Sequence, residues 1–151
     1  MKKILIFLVL NFGALAIGGL ATSSGVVSDW YRNLNQAPWT PPGFVFGAAW
    51  TFIMVCFTFY IVPLYKSTKN KKEVIILYIL QWFLNVLWNP IFFHFRFIDL
   101  GLVSIISLTV IVAIFFLKYK SILKLKSILI LPYLIWLMIA TSLNLYISLY
   151  N

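Results

Sequence analysis

The sequence predicts an all-α integral membrane protein: a five-transmembrane-helix bundle with a long structured first loop. Three observations carry this. Five apolar runs, roughly 4–21, 43–65, 74–93, 100–117 and 128–149, each approach the ~20 residues a helix needs to cross a hydrocarbon core of ~30 Å. Only 10% of the 151 residues are charged and 63% are hydrophobic, where a soluble domain carries about 25% charge. Finally, ten of the twelve basic residues fall at the N-terminus and in alternate gaps between the runs. Lys2 and Lys3 precede the first run; Lys66, Lys69, Lys71 and Lys72 follow the second; Lys118, Lys120, Lys124 and Lys126 follow the fourth. The remaining gaps hold Arg32 with Asp29, and Arg96 with Asp99. Lys and Arg in short loops stay on the cytoplasmic side. The N-terminus is therefore expected inside, with the first loop and the C-terminus outside. Residues 1–151 read as a single transmembrane domain.

The first run opens with two lysines and ends in small residues, as a signal peptide does. Its removal would discard the inside anchor that agrees with every later loop, so a retained span is expected. Ala14 and Gly18 form a small-xxx-small pair with Gly13 and Gly19 alongside, suited to close helix packing within the chain or to a dimer seam. The first loop, 22–42, reads ATSSGVVSDWYRNLNQAPWTPP. A flexible linker would be Gly/Ser-rich. Here Trp30, Tyr31, Leu34 and Trp39 stand among Pro38, Pro41 and Pro42. A short helix over 28–35, capped by Ser28 or Asp29 and ended by the prolines, would make a lid over the helix ends. Membrane anchoring of the same aromatics is the alternative. In the second run the lone Cys56 excludes an internal disulfide and reads as a small core residue. Loops two and four are lysine-rich turns, and loop three holds the single histidine, His94.

The runs contain no Asp, Glu, Lys, Arg or His. Ion-coupled transporters and proton pumps usually place an ionisable group inside the bilayer, and this chain does not. Carboxylate hydrolases, serine–histidine hydrolases and metal sites are disfavoured on the same ground. One histidine cannot make a bis-histidine haem site. The net charge of +9 sits at helix ends, which points to anionic lipid headgroups rather than nucleic acid.

The polar residues picked out inside the runs are amides. Gln81, Asn85 and Asn89 recur every fourth residue in run three, with Trp88 beside them. Trp136, Ala140 and Asn144 have the same spacing in run five, and Phe46, Trp50 and Met54 in run two. Each set lies along one helical face. An unpaired amide facing lipid is costly, so these faces must meet protein or a cavity. Either the amides pair between helices, or they orient a ligand in a pocket walled by Trp39, Trp50, Trp88 and Trp136. Residues alone leave both open.

The chain resembles the TspO/MBR family, the tryptophan-rich sensory proteins related to the translocator protein. The resemblance rests on Trp30-Tyr31-x2-Leu34-x3-Pro38-Trp39-x-Pro41-Pro42 in loop one and Gly47-x2-Trp50 in run two. It continues in Gln81-x3-Asn85-x2-Trp88-x3-Phe92-Phe93, Leu131-Pro132-Tyr133-x2-Trp136 and Leu143-Asn144. It covers essentially the whole chain. It implies a five-helix bundle, a dimer in many members, with loop one closing a pocket near one membrane face. It implies binding of porphyrins (protoporphyrin IX, haem) and of isoquinoline-carboxamide and benzodiazepine ligands, with no required cofactor and no metal site. Trp39, Pro42, Asn85, Trp88 and Ala140 match positions that line the pocket in the family. Trp50 and Trp136 match the positions proposed to act in light-dependent porphyrin breakdown by some bacterial members. The sterol pattern of animal members needs a basic residue after Tyr. Here Tyr146 and Tyr150 have none, which argues against sterol binding. The lysine-, isoleucine- and asparagine-rich composition suggests a bacterial plasma membrane. Three functions follow as alternatives: a porphyrin-binding transport or sensory protein, a light-dependent porphyrin-degrading enzyme, or a structural membrane partner.

Overall fold

Within a bilayer the backbone finds no water, so apolar runs of this length must bond their own N–H and C=O groups as helices. The computed structural model, which describes all 151 residues, contains helices and no strand. These are α1 (Lys2–Gly25), α2 (Asp29–Arg32), α3 (Gly43–Ser67), α4 (Lys71–Asn89), α5 (Ile98–Leu123) and α6 (Leu131–Tyr150). A π-helical turn, Pro90–His94, extends α4, and a 3-10 segment, Lys124–Ile130, joins α5 to α6. Four helical segments are long and apolar enough to cross a membrane: Lys2–Gly25, Gly43–Ser67, Lys71–His94 and the 53-residue Ile98–Tyr150. The last one doubles back. Lys124 sits at φ 50°, in the left-handed region, and α5 then packs along α6 with the Thr109 and Thr141 hydroxyls 3.2 Å apart.

The element ends differ from the apolar runs for local reasons. α1 continues past residue 21 to Gly25, with the Thr22, Ser23 and Ser24 hydroxyls donating back to carbonyls of Gly18, Leu20 and Ala21. The first loop is thereby shortened to 26–42. α2 starts where Ser28 Oγ accepts the Tyr31 N–H at 3.2 Å, but it ends at Arg32, before the prolines. α6 starts at Leu131 rather than 128, since Pro132 fits only the first turn of a helix. Pro90 has no N–H to donate, and the α-helical ladder of α4 gives way to the wider π turn there.

α3 is the most buried helix and packs against α1, α4, α5 and α6. Its Phe57, Tyr60, Ile61 and Leu64 are fully enclosed, and Tyr60 Oη donates to the Phe115 carbonyl of α5 at 2.7 Å. α1 is wedged between α3 and α4. Gly18 makes this possible: a Cβ there would collide with the Asn89 side chain. Gly25 serves similarly, leaving room for the Phe93 ring. The Gly18 side of the small-residue pair is therefore used inside the chain, while Gly13 and Gly19 face open space.

The lysines gather at one end of the helices. The Lys3 and Lys71 ammonium groups lie 4.7 and 5.7 Å from the Tyr65 ring centroid, and Lys118 pairs with Glu73. The other end carries Arg96, 5.6 Å from the Trp30 ring, together with Asp99 bonded to Ser148.

Candidate functional site

The aromatic and amide faces of α3, α4 and α6 turn inward. Phe46 meets Trp136 edge-on at 5.4 Å, and Trp50 meets Tyr133 at 5.8 Å. Met54 is 1% exposed one turn deeper, in the same core as Tyr133, Trp136 and Ala140. Across from them Gln81 Nε2 donates to Tyr133 Oη at 2.7 Å. The backbones of α4 and α6 do not pack closely, so this side-chain bond bridges the space between them. Trp88 stacks on Phe92 at 5.5 Å and meets Phe93 edge-on. Asn144 and Phe92 both lie against Gly101 of α5, where a Cβ would meet the Phe92 ring and the Asn144 side-chain oxygen.

Hydrogen bonding in this region is incomplete. Gln81 Oε1, Trp88 Nε1, Trp136 Nε1 and Asn144 Oδ1 are buried without a partner, as is Ser104 Oγ on α5. An orphaned buried polar atom costs about 1–3 kcal/mol. Four of these five atoms belong to residues singled out from the sequence.

The amides divide. Gln81 bonds across to α6, and Asn89 Oδ1 accepts from Thr22 Oγ1 of α1 at 2.6 Å. Both tie helices together. Asn144 instead donates to the Ala140 carbonyl of its own helix at 3.3 Å, and Asn85 offers only its backbone carbonyl, to Asn89. Asn85 and Asn144 are thus not interhelical ties.

Trp39 and Pro42 do not join the buried group. Trp39 is 54% exposed; its Nε1 donates to Ser142 Oγ at 3.1 Å and its ring meets Tyr146 edge-on. It fastens the first loop to α6 from outside. Asn35 adds a second tie, with its N–H donating to Asn151 Oδ1 at 2.8 Å and its amide to the Tyr150 carbonyl. Trp30 and Tyr31 pack on Phe92 and Phe93. Burial there pushes the Tyr31 phenol above its usual value, so it stays neutral at physiological pH. His94 is exposed at the end of the π turn, edge-on to Phe95.

Sequence reasoning missed a second interior constellation. Asn11 Nδ2 donates to Thr58 Oγ1 at 2.9 Å, Tyr78 Oη donates to Asn11 Oδ1 at 2.7 Å, and Thr58 donates to the Met54 carbonyl. One asparagine thereby joins α1, α3 and α4. Its signal was a lone amide in the first apolar run. Tyr133, one turn before Trp136, was also passed over as a site residue.

Apolar helices around a tryptophan- and amide-lined interior, with an aromatic, proline-rich loop tied over one end, define an integral membrane protein. The chain belongs to the TspO/MBR family, whose model matches residues 5–150. It is 33% identical over 142 residues to the tryptophan-rich protein TspO of Archaeoglobus fulgidus, spanning 91% of this chain and 90% of that one. It is 32% identical over 134 residues to the tryptophan-rich sensory protein of Cereibacter sphaeroides, spanning 85% and 82%. To the translocator protein of Homo sapiens it is 29% identical over 119 residues, spanning 76% and 70%.

Proposed function

We propose that this protein binds porphyrin-like ligands such as protoporphyrin IX or haem within the membrane, for transport or sensing. Isoquinoline-carboxamide and benzodiazepine-type molecules would share the site. The observation that supports this reading is the set of unpartnered atoms in an aromatic wall: two indole N–H donors, on Trp88 and Trp136, and two amide oxygens, on Gln81 and Asn144. The propionate carboxylates at a porphyrin's rim can accept from the two indole N–H groups, and its flat ring suits stacking against indoles. Phe46, Trp50, Met54, Asn85 and Ala140 complete the wall in this reading. Trp39 and Pro42 belong to the loop that must lift for a ligand to pass. The names of the relatives, sensory protein and translocator protein, fit a ligand-responsive role.

Titration of the purified protein with protoporphyrin IX, followed by absorbance in darkness and in light, tests the proposal. A saturable complex that persists in both supports binding for transport or sensing. Loss of the porphyrin spectrum only in light, abolished by Trp50→Phe or Trp136→Phe, would favour the degrading enzyme. No saturable binding would leave the structural partner.

The same reading places five crossings in the membrane, with α5 and α6 each crossing once. The lysine end lies in the cytoplasm of a bacterial cell, and the first loop and C-terminus lie outside. In a Cys56→Ala background, an impermeant thiol reagent applied to intact cells should label Ser24→Cys and spare Ser67→Cys. The opposite pattern would invert the topology.

A further inference from the structure

We propose a second ligand site at the lysine end, where a groove between α1, α3 and the 3-10 segment holds one anionic glycerophospholipid. The groove encloses about 810 Å³ and is lined by none of the residues of the tryptophan-walled interior. It follows α3 from Val55 to Ser67. That stretch is about 18 Å long, more than half of a ~30 Å hydrocarbon core and so a match for one acyl chain in one leaflet.

Its chemistry changes along its length in the order of an amphiphile. Val55, Phe59 and Pro63 from α3 and Leu129 from the 3-10 segment make apolar walls; Lys66, Ser67 and Lys126 stand at the end. A soluble anion would have no use for the walls, and a neutral lipid no use for the lysines. Lys66 and Lys126 have no acidic partner in the chain, because its one ion pair, Lys118 with Glu73, uses the only carboxylate at this end. A basic pocket beside membrane helices fits an anionic headgroup.

Native mass spectrometry of the full chain with equimolar dioleoyl phosphatidylglycerol and dioleoyl phosphatidylcholine tests the site. The parent should retain the glycerol lipid with about thirtyfold preference, the order that two lysines near an anionic headgroup supply. Lys66→Gln/Lys126→Gln should remove that preference, and Lys69→Gln/Lys72→Gln, at the same end but outside the groove, should keep it. Val55→Trp should fill the groove and lower retention of the lipid with every lysine in place; an unchanged thermal midpoint shows that it folds. Equal retention of both lipids by the parent would overturn the proposal. So would equal loss in the two double variants, which would mean diffuse charge. A lipid-free dimer mass that Val55→Trp abolishes would likewise overturn it, and give the groove to a second copy of the chain. None of these outcomes depends on whether the interior binds porphyrin.

Discussion

The two buried polar regions of this protein are both built around amide side chains and end in opposite states. Around Asn11, both amide groups and the Thr58 and Tyr78 hydroxyls have partners within 2.9 Å, contributed by three helices. Between α4 and α6, Gln81, Trp88, Trp136 and Asn144 each retain an orphaned atom. The difference teaches what an interior amide is for. A closed network specifies how helices pack, because breaking it strands a donor or an acceptor where no water can reach. An open one costs stability in the free protein and leaves donors and acceptors free for a bound molecule to complete.

Three substitutions would break or sharpen this contrast. The largest effect is expected from Asn11→Leu. It leaves Tyr78 Oη without its acceptor and should lower thermal stability by about 1–3 kcal/mol, with little change in protoporphyrin IX affinity. A stable variant with weakened porphyrin binding would reverse the roles assigned to the two regions. Trp136→Leu comes next. It removes the indole face and the free N–H, and should weaken protoporphyrin IX binding by roughly two- to tenfold in a fluorescence-quenching titration. Unchanged affinity in both this variant and Trp50→Leu would make the tryptophans packing alone. The smallest and most diagnostic effect is that of Asn144→Leu. Its Oδ1 has no partner, so stability without ligand should hold or rise, by at most about 1 kcal/mol, while porphyrin affinity falls. A stability loss as large as that of Asn11→Leu would show that Asn144 belongs to a closed network after all.

The first loop offers the same lesson in reverse. Its aromatic and proline content announced order, and the structure divides its tryptophans between two tasks. Trp30 packs on Phe92 at the end of the helices opposite the lysines, and Trp39 clasps α6 through Ser142 and Tyr146. The sequence grouped Trp39 with Trp50, Trp88 and Trp136 because all are tryptophans near helix ends or on inward faces. Residue type cannot say on which side of a helix wall a loop residue comes to rest.

What the sequence determined by itself was what period and polarity determine. The apolar runs fix where the long helices α1, α3 and α4 lie, since a backbone in hydrocarbon has no other way to bond. Fourfold spacing fixes that Gln81 and Asn85 share a face, as do Trp136, Ala140 and Asn144. What only the tertiary structure decided was how those faces are occupied. That Gln81 spans to Tyr133, 52 residues on, while Asn144 turns to its own helix and lies against Gly101 is visible only in the packed structure. That Asn11 closes a three-helix network depends on Thr58 and Tyr78, 47 and 67 residues away. The reversal at Lys124, which brings α6 back against α5, falls at a lysine with positive φ and not at a glycine or proline, so no local residue marked it in the sequence. Local pattern fixes which atoms face inward; whether each finds a partner there is settled by residues far along the chain.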